Sequence, residues 1–380
     1  MKWVNFLHIY QPPTQSKEIV DKVVRESYTL IPELMKKYPN MRLTMNITGS
    51  LLELFDRYGH RDIIDSYRAL VKEGRIELTG SALYHPLMPL TSPEMMRRQI
   101  KRNSAILKTY FGESCVPRGF YFPEMAYSAG AGEIVKELGF EWTVLDEINA
   151  PGQIEPDITY KILDSGLTVV FRNREFSRSF PPEFIISNMN RAPDPLVTAH
   201  DGELYGHWHT DDKGFYEKAF TSPNIHMVTV SEHIQELKEG KIIKLRKGSW
   251  ESTPDEIAAR NPFALWNSPD NEVHQKLWDF AHLVEKIVTA HAADDHYALA
   301  EICLDKGYAS CAWWWANGRK LGPFSPVCWN PSEIEKGALM LLNAVRSLKT
   351  MPLAERMKAE KAYTAMHDLI WSTHWARHVQ

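Results

Sequence analysis

Polar side chains capable of acid–base or sugar-binding chemistry recur where short apolar runs stop. His8 and Gln11 follow the first run, Glu77 lies within the third, Glu124 ends the fourth in "GFYFPE", and Asp201 with Glu203 ends the seventh. A carboxylate at the tip of a core strand is costly unless it is paired or used. Glu124 and Asp201, far apart in sequence, would meet if the runs are parallel strands whose C-terminal ends open on one face. Two carboxylates with aromatic neighbours at such a rim suit glycoside hydrolysis, one attacking and the other serving as acid and base. Glu203 competes locally for the second role. His8 and His200 are candidate sugar ligands, His8 otherwise a satisfied core histidine, and Arg172 and Arg174 either hold the carboxylates ionised or form a salt-bridge network. His200, His207 and His209 also have spacing that a zinc site would tolerate.

The elements that would position these groups alternate. Candidate strands are Trp3–His8, Arg42–Ile47, Ile76–Thr79, Gly119–Phe122, Trp142–Asp146, Thr168–Arg172, Leu196–His200 and Met227–Ser231. Several are apolar on both faces, as parallel strands covered by helices are. Ser16 caps a helical pattern that runs to Pro39. Ser92, Pro93 and Gly112 punctuate another. "TYKILDSGLTVVFRN" reads as a hairpin turning at Asp164, Ser165 and Gly166. The alternation argues for a parallel α/β sheet, and the strand count favours a barrel. From about residue 250 a loop rich in Pro, Asn and Trp leads into helical patterns. The expected division is 1–249 for the barrel and 250–380 for a helical C-terminal domain packed on it, its pattern broken at "ANGRKLGPFSPVCWNPSE".

The bulk composition excludes several classes. The 380 residues are 44% hydrophobic and 24% charged with a net charge of −4, which offers nothing to nucleic acid or an anionic membrane. No apolar run reaches membrane length or resembles a signal h-region, and the expected location is cytoplasmic. The four cysteines, 115, 303, 311 and 328, form no C-x-x-C pair and are expected to be reduced, buried thiols. Twelve Trp and fifteen Tyr exceed what a core of this size needs, and aromatic faces stack on sugar rings. Trp208, Trp250, Trp266 and the Trp313–Trp315 run are candidates for that use or for packing.

Four segments, in order, resemble glycoside hydrolase family 57, the α-amylases, 4-α-glucanotransferases and branching enzymes. "FLHIYQPP" is similar to its opening motif, with His8, Gln11 and Pro12 in register; Tyr10 stands where the motif has a second His. "GRIELTGSALYHPLMPL", with Glu77 and His85, resembles the second region. "YFPEMAY" resembles the third and "HDGELYGHW" the fourth, while "SCAWWWANG" falls where a fifth is expected but lacks its aspartate. The resemblance implies a distorted (β/α)7-type barrel followed by a helical region, with Glu124 as nucleophile, Asp201 as acid/base, and no catalytic metal or other cofactor. Since eight candidate strands exceed seven, one is expected outside the barrel. The chain is short for the family, which suggests fewer subsites.

The expected activity is therefore a retaining α-glycosidase or α-glucanotransferase acting on α-glucan oligo- or polysaccharides through a covalent glycosyl-enzyme. His8, Gln11, Glu77, His85, Arg172, His200, Glu203, Trp208, Trp250 and Trp266 are the expected substrate contacts. The alternatives are a metal-dependent carbohydrate deacetylase and a sugar-binding protein without turnover. Hydrolysis and transfer share these residues, and the sequence does not choose between them.

Overall fold

A computed structural model describes residues 1–317 and 329–378. Cys328 and most of the break in the C-terminal helical pattern lie outside the described residues. The chain divides into two compact units. The first comprises Met1–Gln11, Gln15–Leu83 and Met88–Trp250, and the second Pro12–Thr14, Tyr84–Leu87 and everything from Glu251 on.

The first unit is built on β1 (Lys2–Ile9), β2 (Leu43–Ile47), β3 (Ile76–Leu78), β4 (Gly119–Phe120), β5 (Trp142–Asp146), β6 (Ile158–Ile162), β7 (Thr168–Arg172), β8 (Leu196–Asp201), β9 (His226–Val228) and β10 (Lys238–Ile243). One sheet has the order β3-β2-β1-β8 with β9 also on β1, and the other β10-β6-β7-β5-β4. Two seams join them. At one, Gly80 N donates to Gly119 O and Tyr121 N to Gly80 O, both at 2.9 Å; at the other, Asn173 N donates to Val197 O at 2.7 Å. The result is a ring of seven parallel strands, β1, β2, β3, β4, β5, β7 and β8. A side chain at Gly119 would put its Cβ 2.1 Å from the Trp142 indole, so the first seam closes only on glycine.

Of the eight expected strands, β9 is the one outside the ring: it pairs through His226–Val228 with Lys2–Val4 alone, beside the half of β1 that β2 leaves bare. The hairpin forms as expected between β6 and β7, with Gly166 at φ 71° in its turn. β10 has no counterpart among the candidate strands. Its "KEGKII" is mostly exposed, an edge strand without the apolar alternation that marks the others.

Period-two alternation divides β1 and β8 between two cores. Val4 and Phe6 join Tyr121, Val144, Val170, Val197 and Ala199 inside the ring. Trp3, Leu7, Ile9, Leu196 and Tyr205 pack outside it with the covering helices. Ser92 accepts from Met95 N to cap the helix Pro93–Phe111, which Gly112 ends, as expected. The single helix expected after Ser16 is instead an α-helix Lys17–Val23, a π turn Val24–Tyr28 and an α-helix Leu30–Lys37. Thr29 N reaches back five residues to Val24 O at 3.0 Å, the mark of one extra residue in the turn.

The second unit is helical, with Glu272–Ala290, Tyr297–Gly307, Pro331–Ser347 and Leu353–His378 as its longer members. Leu277, Trp278, Ala281, Val284, Leu304, Leu341 and Leu342 are buried in it. No helix among the described residues is long and apolar enough to cross a membrane. Cys115, Cys303 and Cys311 are free thiols, half-buried rather than buried as expected.

Candidate active site

The parity that sends Val4 and Phe6 inward also sends His8 inward, and that of Val197 and Ala199 does the same for Asp201. The parallel register sets His8 opposite Asp201 and Asp146 opposite Arg172, so four polar residues meet at the C-terminal strand ends. Glu124 arrives from the segment after β4. There the chain turns through two consecutive non-glycine residues in the left-handed region, Glu124 at φ 59° and Met125 at φ 46°. Such a conformation costs of order 1–3 kcal/mol per residue and persists only when its surroundings enforce it. Here Trp250 N donates to Glu124 O at 3.2 Å, and Tyr127 pairs with Gly248 in a short antiparallel bridge. The same Trp250 donates Nε1–H to Glu124 Oε2 at 2.9 Å.

Arg172 is 4% exposed and fully engaged. Its Nε donates to Asp146 Oδ2 at 2.7 Å and its Nη1 to Ala199 O at 2.7 Å, while its guanidinium lies 5.2 Å from the Trp250 ring centre. Arg174 takes the other oxygen of Asp146 at 2.6 Å. Both arginines thus engage Asp146, and Arg172 also lies against the Trp250 ring.

His8 is buried, with Nδ1 at 2.9 Å from Asn46 Oδ1 and its ring stacked on Tyr121 at 4.5 Å. Burial pulls its pKa down to about 3, against the opposing Asn46 hydrogen bond, so it is neutral at ordinary pH. Glu203 is buried two residues beyond Asp201. Tyr28 donates its hydroxyl proton to Glu203, and Gln11 Nε2 lies 3.1 Å from Tyr28 Oη and 3.5 Å from Glu203 Oε1. Burial pushes the Glu203 carboxyl up to about 7, although the Tyr28 hydrogen bond works the other way.

The segment carrying Asp201 and Glu203 is braced by the π turn. Ser27 Oγ donates to Gly202 O at 3.1 Å, Glu26 pairs with His207, and Tyr28 holds Glu203. Gly206, at φ 98°, lies so close to Glu26 that a Cβ there would sit 2.0 Å from its carbonyl oxygen. Trp208, next in line, is 49% exposed and has a ring face to offer.

Other expected contacts are placed differently. His200 has the parity opposite to Asp201, stacking on Tyr205 at 5.8 Å with its Nδ1 at 3.0 Å from Asp201 O, outside the ring. Burial lowers its pKa to about 4. Glu77 lies near the N-terminal end of the barrel, where its Oε2 accepts from Ser231 N at 3.0 Å and Thr44 Oγ1 at 3.2 Å; it caps the helix Val230–Glu236. His85 and Trp266 belong to the second unit. There His85, at φ 57°, pairs Nδ1 with Ser310 Oγ at 3.0 Å, and Trp266 is a core residue at 1% exposure with no free ring face. Trp313 is likewise core, stacked on Trp278 at 4.2 Å. The three histidines of the zinc reading diverge: His200 to Asp201 O, His207 to Glu26, His209 onto the Phe180 ring at 4.0 Å. Among the described residues no group of three His, Cys, Asp or Glu side chains is placed to hold a metal ion.

Sequence reasoning missed Tyr28, Asn46, Tyr121 and Asp146. Asp146 carried a usable signal, a charge at the end of a candidate strand like Asp201.

Known proteins bear on this arrangement. An α-amylase of Pyrococcus horikoshii is 23% identical over 276 residues, 66% of this chain and 43% of that protein. A 4-α-glucanotransferase of Thermococcus litoralis is 23% identical over 277 residues, 66% of this chain and 41% of that protein. The chain thus spans well under half the length of these two relatives. Among solved structures, a branching enzyme from Pyrococcus horikoshii superposes with a TM-score of 0.72 at 17% identity, covering 96% of this chain and 94% of that one, which establishes the fold as a (β/α)7 barrel with a helical C-terminal region. The sequence pattern of glycosyl hydrolase family 57 matches residues 6–246, the whole stretch from β1 to just past β10, and the chain belongs to that family.

Proposed function

We propose that the protein is a retaining enzyme acting on α-glucans, with Glu124 as nucleophile and Asp201 as acid/base. One observation carries the reading: Glu124 is held in a left-handed backbone after β4 with its carboxylate oriented by Trp250, on the same strand-end rim to which β8 brings Asp201. Glu124 would attack the anomeric carbon while Asp201 gives its proton to the departing glycosidic oxygen. The C–O bond to the leaving group breaks as the bond to the Glu124 carboxylate forms. Asp201, now ionised, takes a proton from water or an acceptor sugar hydroxyl, whose oxygen displaces Glu124. A sugar is the partner of this site; its chain length, and water against sugar as acceptor, follow from product analysis.

The test is chemical rescue. Glu124→Ala should abolish turnover, and added azide should then yield a glycosyl azide of inverted configuration. Asp201→Ala should still form the intermediate from aryl glycosides with good leaving groups, and azide should speed its breakdown with retention. The reversed pattern exchanges the two roles. Undiminished turnover by Glu124→Ala removes the proposal.

A further inference from the structure

Tyr121 is a core residue by exposure and a site residue by position. It is fully buried, with its ring stacked on His8 at 4.5 Å and Phe6 at 5.5 Å and meeting Trp250 edge-on at 6.0 Å. Those contacts leave the ring one orientation. Its hydroxyl is buried without a hydrogen-bond partner. The charges that bear on it are those of Glu124, Asp201, Arg172 and Glu203. Tyr28 donates to Glu203, Tyr67 to Tyr28 O at 3.0 Å, and Tyr205 accepts from Asn5 Nδ2 at 2.9 Å, whereas the other unpartnered buried tyrosine hydroxyls, those of Tyr127 and Tyr216, face Glu133, Asp164 and Asp211 rather than the proposed catalytic pair. A buried hydroxyl with no partner costs stability, and phenylalanine would fill the same space without that cost.

We infer that the Tyr121 hydroxyl is a substrate contact, donating a hydrogen bond to a hydroxyl oxygen of the sugar residue whose anomeric carbon faces Glu124. The inference rests on the α-glucan reading above. It follows from location: the ring packs on His8, opposite Asp201, and on Trp250, which holds the Glu124 carboxylate, so the sugar that faces Glu124 is the ligand nearest to it. Burial and then the Glu124 charge push the phenol well above its usual range, so it remains a donor at any working pH. Because its neighbours hold the ring rigid, the donor cannot swing to another partner. A sugar lacking the matching hydroxyl leaves it unsatisfied again, which makes Tyr121 a specificity determinant.

The experiment compares the wild type with Tyr121→Phe on aryl α-glucosides and their 2-, 3- and 6-deoxy analogues. The variant should lose about 10–100-fold in kcat/KM on the parent sugar. Its Tm should stay the same or rise. One deoxy analogue should be poor for the wild type yet no poorer than its parent for the variant. Unchanged kcat/KM overturns the inference. So does an equal loss across the parent and every analogue, or a lowered Tm, since each marks a packing role. If the wild type turns over no α-glucoside but binds maltooligosaccharides by calorimetry, the enzymatic reading fails while the contact is still testable: Tyr121→Phe should weaken binding about tenfold, and equal affinity overturns it. Absence of binding by the wild type removes both.

Discussion

The indole Nε1 of Trp250 donates to Oε2 of Glu124 at 2.9 Å, across 126 residues of sequence. The same two residues are joined again through the backbone, so the carboxylate and its donor move as one piece. Trp250→Phe keeps a ring over Arg172 and removes only the N–H. Losing a hydrogen bond that orients the proposed nucleophile should lower kcat by about 10–100-fold while shifting Tm by only a few degrees. Steady-state kinetics with thermal unfolding checks this. A kcat close to that of the wild type would mean that Glu124 is oriented by other contacts.

Asp146 is fully buried between Arg172 and Arg174 and accepts from Ile148 N at 3.0 Å. Asp146→Asn preserves shape but leaves two cations facing a neutral group. The expected loss is about 3–5 kcal/mol in urea unfolding, because a buried charge without its partner is costly. A midpoint unmoved by the substitution would show that water reaches the arginines.

Glu203 makes a distinct prediction for pH. Its carboxyl titrates near 7 in the folded chain and near the ordinary 4.5 when unfolded, so between those values the folded state holds the extra proton. Its contribution to stability is therefore greatest below the unfolded pKa and falls as pH rises toward 7. Buried His8 and His200, lowered to about 3 and 4, act oppositely and lose stability as pH falls below about 6.5. Glu203→Gln should gain on the wild type between about pH 4.5 and 7, seen as converging or crossing Tm curves. Parallel curves would place the pKa of Glu203 in the usual range.

Glu77 separates a structural from a catalytic role. Glu77→Ala strips the acceptor from Ser231 N and should cost about 1–2 kcal/mol with kcat/KM unchanged. A fall in kcat/KM at undiminished stability would return Glu77 to the substrate.

The barrel and much of the site were legible because strand parity is local. Once β1 is a strand with Val4 and Phe6 inward, His8 must follow, and the same counting applied to β8 puts Asp201 inside and His200 outside. The expectation that His200 contacts sugar came from adjacency in sequence, which parity overrides. Trp266 was misplaced for another reason: aromatic enrichment is equally good for stacking and for packing, and only exposure separates them. Asp146 and its two arginines are joined by chain reversal through the β6–β7 hairpin, and Tyr28 meets Glu203 across 175 residues. Nothing in a local pattern announces such pairs.

The π turn at Val24–Tyr28 gives the helix after β1 one residue more than a regular turn would need. That surplus sets which way Glu26, Ser27 and Tyr28 point, and those three grip the segment that carries Asp201 and Glu203. Helix phase is thus transmitted to the loop of the proposed acid/base as a matter of length rather than chemistry. Deleting a single residue within the turn would relax it to an α-helix and change which residues of 24–28 face that segment, while the flanking helices Lys17–Val23 and Leu30–Lys37 keep their phase. The proposed catalytic groups would all remain in the chain, yet the loop would lose its registration: a frame error in three dimensions, written into a stretch that carries neither of them.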